Sequence, residues 1–229
     1  MLAICKGLVN LGTQSPGLAL STSTSALVHY RYGGHVMALA MVTVLVLLVI
    51  FYRDPPIKTG FPDNVVMGPC YGRVKKIMRD ANLYRIIIFL SPLDVHTQTM
   101  PVNGFVADAT YDATGKFDLA YKVDKSRFNE KMTTTIVNPE LGPVKVRQIA
   151  GKMVRRISNP NKKGKDVKCG EKLGMIKFGS RVDIEVFAPG LVIDVKEGQY
   201  VHGSDTMIAH RLPMEVARSW PFTTHTATP

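Results

Sequence analysis

Four short segments hold most of the side chains that could do chemistry near neutral pH. Leu173–Asp183 reads LGMIKFGSRVD and places Ser180 directly after Gly179. Phe89–Gly104 reads FLSPLDVHTQTMPVNG and carries Asp94 and His96. Val146–Ile157 reads VRQIAGKMVRRI, and Phe51–Pro56 reads FYRDPP. A serine hydroxyl becomes a nucleophile when a base takes its proton. Histidine is the side chain whose ordinary pKa suits it to take or give a proton near pH 7. Taken alone, a Gly-Ser pair at a strand bend reads as a turn, and a lone histidine as a surface or core residue. In an extended segment Asp94 and His96 share a face, so a contact between them is open. An ion pair elsewhere is equally open for Asp94.

The elements that must position these residues are mostly strands. From Gly60 onward, short runs rich in β-branched residues alternate with Gly, Pro, Asn and Asp. This pattern predicts strands near 72–78, 84–90, 104–110, 133–137, 144–150, 153–157, 172–176, 182–187, 190–195 and 206–209. One short helix is expected over 123–131, capped by Asp124 or Ser126. Gly164–Ile176 and Glu197–Ile208 form a degenerate repeat of turn, short strand, Gly turn, short strand. That texture is similar to lipoyl and biotinyl carrier domains and to related barrel-sandwich hybrid folds. Lys196 lacks the flanking residues a carrier lysine needs. The expected fold class is therefore mainly β, a barrel-sandwich-hybrid-like domain with few short helices.

A transmembrane helix is expected to precede it. Residues 36–52 run without a charge for 17 positions, near the lower limit for crossing a bilayer. Arg53, Asp54 and the Pro55-Pro56 pair stop the run. The expected organisation is an N-terminal arm or presequence-like segment over 1–34, a transmembrane helix over 35–53, a β domain over 54–210 and a C-terminal tail over 211–229. The formal net charge is +11, from 29 Lys and Arg against 18 Asp and Glu, and residues 1–52 hold no acid at all. Such a balance suits an anionic membrane surface or nucleic acid. Basic clusters at Arg73, Lys75, Lys76 and Arg79, at Arg155 and Arg156, and at Lys162, Lys163 and Lys165 lack interleaved aromatic residues, which disfavours nucleic acid. Three scattered cysteines, Cys5, Cys70 and Cys169, are too few for a disulfide framework or a zinc site, so no metal is expected.

Together the ordered motifs resemble the short-form phosphatidylserine decarboxylase family, over roughly residues 51–210. The family's Arg-Asp-Pro segment matches 51–56, and its Ser-Pro-Leu-Asp-Val-His segment matches 91–96. Its Ser-x-x-Asn-Glu segment matches Ser126, Asn129 and Glu130. Its Ile-Ala-Gly…Arg-Arg-Ile segment matches 149–157, and its Gly-Met-Ile-x-Phe-Gly-Ser-Arg-Val-Asp segment matches 174–183. The resemblance implies scission between Gly179 and Ser180. Ser180 Oγ attacks the Gly179 carbonyl to form an ester, and elimination and hydrolysis leave a pyruvoyl cofactor at Ser180. That group then acts as the electron sink for decarboxylation of phosphatidylserine to phosphatidylethanolamine. It implies His96 as general acid, with Asp94, Asn129 and Glu130 in support. It also implies a phospholipid partner and a single-pass address, the mitochondrial inner membrane in eukaryotic relatives.

The match breaks at two places near the expected reaction centre. The family carries Pro-Ala-Asp-Gly where this chain has Pro69-Cys70-Tyr71-Gly72. Tyr71 thus replaces an aspartate of the self-cleavage set, and a phenol with a pKa near 10 is a poor substitute for a carboxylate. Thr99 stands where relatives carry arginine or a second histidine. The alternative expectation is therefore a degenerate, uncleaved and inactive member serving as a structural subunit of a mitochondrial membrane complex.

Overall fold

A computed structural model describes residues 11, 15–32, 34–56, 58–80, 83–113, 129–151, 157–177 and 180–212. Two helices come first, α1 (Pro16–Tyr32) and α2 (His35–Phe51). The strands that follow are β1 (Val65–Met67), β2 (Tyr71–Asp80), β3 (Leu83–Leu90), β4 (Thr97–Thr99), β5 (Gly104–Asp112), β6 (Lys131–Asn138) and β7 (Gly142–Ile149). They continue with β8 (Ile157–Ser158), β9 (Asp166–Val167), β10 (Lys172–Ile176), β11 (Ser180–Phe187), β12 (Leu191–Ile193), β13 (Tyr200–His202) and β14 (Met207–Arg211).

The strands form one sheet of eight, ordered β13-β2-β3-β11-β7-β6-β5-β9, and two sheets of three, β1-β14-β12 and β4-β10-β8. Side-chain alternation explains the large sheet. Along β6, Met132, Thr134, Ile136 and Asn138 are buried while Lys131, Thr133, Thr135 and Val137 are only partly so. Val182, Ile184 and Val186 on β11 pack with Ile86, Ile88 and Val146 in the main core. β11 lies between β3 and β7 and is buried on both faces along most of its length. Its second face carries charge, which is neutralised locally. Arg181 donates from Nε to Asp183 Oδ1 at 2.7 Å and from Nη2 to Oδ2 at 3.0 Å. Glu185 accepts from Arg147 at 2.5 Å and from Arg85.

The mainly β expectation agrees with this architecture, but the transmembrane helix does not. Among the described residues no helix is long and apolar enough to cross a membrane. The cause is length. Extended Gly34 separates α2 from α1, and α2 ends at Phe51. Its 17 residues reach about 25 Å, short of the roughly 30 Å hydrocarbon core. Instead α2 folds back along α1. Its last turn buries Leu48 and Phe51, with Tyr52, against Met175 of β10.

Most expected strands are present, with shifted ends. β1 and β4 were not anticipated, because three residues are too few to display a period, whereas β9 and β13 are the first short strands of the two repeat segments. The expected strand at 153–157 and helix at 123–131 fall mostly outside the described residues. Lys131, at the end of that expected helix, opens β6. Residues 213–229 of the expected tail also lie outside.

The Arg181–Asp183 pair should be a point of weakness. Asp183 and Arg181 are both almost fully buried, and burial pushes the Asp183 carboxyl up against the opposing pull of Arg181. Replacing Asp183 with Ala removes the buried carboxylate that Arg181 bonds through Nε and Nη2, which should cost about 3 kcal/mol or more. Urea denaturation should report this as a lower midpoint. A midpoint unchanged within error would mean that the pair contributes nothing.

Candidate functional site

Two strand pairings assemble the site. Ser180, the first residue of β11, lies opposite Leu90, the last of β3. Met175 near the end of β10 lies opposite Thr97, the first residue of β4. The chain therefore passes from β3 to β4 and from β10 to β11 through two links whose ends are tied to each other. His96 sits on the first link, and Ser180 ends the second. On the other flank, Arg181 pairs with Ile149 of β7, so Ala150 continues that register beside Ser180.

His96 is fully buried. Its Nδ1 lies 2.8 Å from the backbone carbonyl of Asp94. A carbonyl only accepts, so Nδ1 carries the hydrogen and Nε2 keeps its lone pair. Nε2 is buried and has no hydrogen-bond partner among the described residues. The Phe51 ring covers the imidazole, with centroids 4.2 Å apart and planes 34° apart. Burial lowers the His96 pKa below its ordinary value, and the Asp94 carbonyl and carboxylate oppose that shift. The side chain is thus a neutral imidazole at pH 7, poised to accept a proton at Nε2. Ser180 Oγ shares its condition, being buried and without a partner among the described residues.

Asp94 does not hold the imidazole through its carboxylate. Oδ2 accepts from the Ser91 backbone N–H at 2.7 Å, closing a turn. Oδ1 accepts from Tyr200 Oη at 2.6 Å. Asp94 thus shapes the link and presents its own carbonyl to His96. Asn129 and Glu130 act on the other flank. Asn129 Nδ2 donates to the Ala150 carbonyl at 2.8 Å, and the Ala150 N–H donates to the Glu130 carbonyl at 2.9 Å. The Glu130 carboxylate accepts from Tyr111 Oη. Both residues therefore fix the strand end beside Ser180. Ser126 and Gly179 lie outside the described residues.

A buried amide chain behind His96 escaped the sequence reading. Gln98 Nε2 donates to the His96 carbonyl at 2.6 Å, and Gln98 Oε1 accepts from Gln148 Nε2 at 2.9 Å. Gln148 Oε1 in turn accepts from Asn159 Nδ2 at 3.1 Å. Gln98 and Gln148 are fully buried. Their positions inside otherwise apolar strands were the only available signal, since polar residues are buried mostly when bonded.

The two departures from the family pattern lie on different sheets, with Thr99 bonded to the segment that leads into Tyr71. Tyr71 opens β2, two strands from β11. Its ring meets His202 edge-on, with centroids 6.4 Å apart. Burial raises its pKa, so the phenol keeps its proton. Thr99 Oγ1 reaches only the Gly68 carbonyl, at 3.4 Å, and the Thr99 N–H donates to Pro69. Buried Cys70 has its thiol pKa raised by desolvation.

Two measurements probe this environment. Gly203 has a positive φ of 57°, and a Cβ there would fall 2.6 Å from Tyr71 Cε2. Gly203→Ala should cost about 1–3 kcal/mol and cost less when Tyr71 is also Ala. Equal losses in the two backgrounds would show that the ring is not the obstruction. For His96, the unfolded chain binds a proton near pH 6.5 while the folded chain resists until lower pH. Its contribution to stability is therefore complete above about pH 6.5 and is lost as pH falls towards the folded pKa. Urea midpoints taken between pH 7 and pH 5 should fall more steeply for the wild type than for His96→Gln, and parallel curves would contradict this.

Comparison with known proteins identifies the family. The pattern that defines the phosphatidylserine decarboxylase family matches residues 54–209. A phosphatidylserine decarboxylase proenzyme of Solibacter usitatus is 33% identical over 196 residues, covering 85% of this chain and 93% of the relative. One from Chlorobaculum tepidum is 34% identical over 182 residues, covering 77% and 83%. One from Bacteroides fragilis is 38% identical over 184 residues, covering 76% and 79%. These organisms are bacteria, which lends the expected mitochondrial address no support. On motif, coverage and identity alike, this chain belongs to the phosphatidylserine decarboxylase family.

Proposed function

We propose that this chain cuts its own backbone between Gly179 and Ser180 and then removes CO₂ from the serine headgroup of phosphatidylserine, giving phosphatidylethanolamine. One observation carries the reading. Ser180 Oγ and His96 Nε2 are both buried and without partners among the described residues, on two links tied together at their ends. A buried polar atom left unsatisfied costs about 1–3 kcal/mol, and such exceptions call for a reason such as catalysis. An orphaned hydroxyl at 180 and a neutral imidazole on the facing link suit a pyruvoyl group formed in place.

The self-cutting step conserves atoms. Ser180 Oγ attacks the Gly179 carbonyl carbon, and its proton passes to His96 Nε2. The C–N bond breaks, the Ser180 nitrogen receives the proton, and an ester joins Gly179 to Ser180 Oγ. Loss of the Ser180 Cα proton expels the Gly179 carboxylate. Water then replaces the nitrogen, which leaves as ammonia. Once formed, the pyruvoyl carbonyl supplies an electrophile for a primary amine and a sink for the electron pair left by CO₂.

The remaining work falls to the chain's own residues. Neutral His96 accepts at Nε2 the proton that the substrate's ammonium must lose, and returns it to the carbon that lost CO₂. The Asp94 carbonyl holds Nδ1–H in both states of the ring. Phe51 shields the imidazole from water. A lipid substrate is favoured by the helical hairpin, where Leu20, Leu27, Val36 and Leu39 are exposed, an apolar surface suited to acyl chains.

A second reading rests on Tyr71 and Thr99. They leave no carboxylate at 71, where the family has the aspartate of its self-cleavage set, and no guanidinium or second imidazole at 99, so the chain would persist uncut as an inactive structural subunit. Intact mass spectrometry of purified protein separates the two. The first reading predicts a 179-residue chain and a 50-residue chain, the latter with a blocked N-terminus, and Ser180→Ala should abolish both. A single full-length species in the wild type would overturn that reading and leave the second.

A further inference from the structure

A cavity of about 300 Å³ opens beside the site, between α2 and the link that carries His96. Leu47 and Ile50 line it from α2, Pro92 and Leu93 line it from the link, and Phe51 and Arg53 also line it. Every lining group is apolar except Arg53. Its guanidinium is clamped from both walls, donating from Nη1 to the Ile50 carbonyl at 2.7 Å and from Nη2 to the Leu93 carbonyl at 3.0 Å. Both acceptors are neutral. Among the described residues no carboxylate pairs with Arg53, while the adjacent Asp54 pairs with Lys172 at 3.3 Å. A guanidinium offers five N–H donors, so two bonds leave most of the fork unused. Phe51 is shared between this cavity and the face of His96.

From this juxtaposition we infer that the cavity and Arg53 form a subsite for one lipid chain and its phosphodiester, with Arg53 binding the phosphate oxygens. The inference rests on the lipid reading above but not on self-cutting. An apolar chain lies along Leu47, Ile50 and Leu93. The phosphodiester oxygens accept from the free N–H groups of Arg53, a charge-assisted contact with fixed geometry. An amine carried a few bonds beyond that phosphate then points past Phe51 towards His96. Arg53 is thus a substrate-binding residue that acts on the phosphate while His96 acts on the reacting carbon.

Binding can be measured on the full-length Ser180→Ala protein, which cannot form the ester. The probe is dodecylphosphocholine below its micelle concentration, followed by NMR of methyl groups including those of Leu93 and Ile50. The expected result is saturable binding that weakens roughly tenfold or more in Arg53→Gln and less in Arg53→Lys. Leu93 is 75% exposed, so Leu93→Glu should keep the fold and also weaken binding by repelling the phosphodiester. Dodecyl maltoside and inorganic phosphate form the control arms. Weak binding of both supports the composite site. Unchanged affinity in Arg53→Gln would overturn the inference in favour of a merely apolar groove. Inorganic phosphate binding as tightly as the lipid probe would overturn it in favour of a free-phosphate site. Because the readout precedes any chain scission, an uncut wild type that still binds the probe would defeat the decarboxylase reading alone.

Discussion

The site depends on how the chain crosses twice between sheets. β3 and β11 belong to the eight-stranded sheet, while β4 and β10 belong to a three-stranded one. Leu90 is paired with Ser180 where the two crossings meet the larger sheet, and Thr97 with Met175 where they meet the smaller one. Strand pairing thus holds the residues that flank the two links against each other. A histidine on one link and a serine at the end of the other are therefore held in a dry region, where neither finds a protein partner among the described residues. The same dryness keeps His96 neutral.

The helical hairpin contributes more than an apolar surface. Phe51 lies on His96, Tyr52 packs with Met175, Arg53 bonds the Leu93 carbonyl and Asp54 meets Lys172. Four consecutive residues thus join the end of α2 to the link that carries His96 and to β10. The short α2 matters in this respect, since a helix ending at Phe51 can turn its last side chains onto the β domain. The apolar run that suggested a membrane crossing instead roofs the imidazole and walls a cavity.

Much of this was legible before the fold was known. Long strands such as β3, β6 and β11 announce themselves through β-branched residues and alternation. Ser180, His96, Asn129 and Glu130 stand in motifs whose order and spacing carry the family signal. What was not legible depends on contacts between distant segments. Whether Asp94 would meet His96 through its carboxylate could not be read from spacing, and Ser91 and Tyr200 take both its oxygens. The Gln98–Gln148–Asn159 chain joins three segments that share no local pattern. Gly203 makes room for Tyr71 across a strand pair that only the register reveals.

The proposed self-cutting at Ser180, with His96 as the base, can be tested by trapping the ester that it should form. Hydroxylamine attacks an ester carbonyl far more readily than an amide. Full-length protein incubated with hydroxylamine at neutral pH should yield a chain ending in a Gly179 hydroxamate and a chain beginning with an unblocked Ser180. The yield should fall sharply in His96→Gln. Protein that keeps its full-length mass under hydroxylamine would contradict the account.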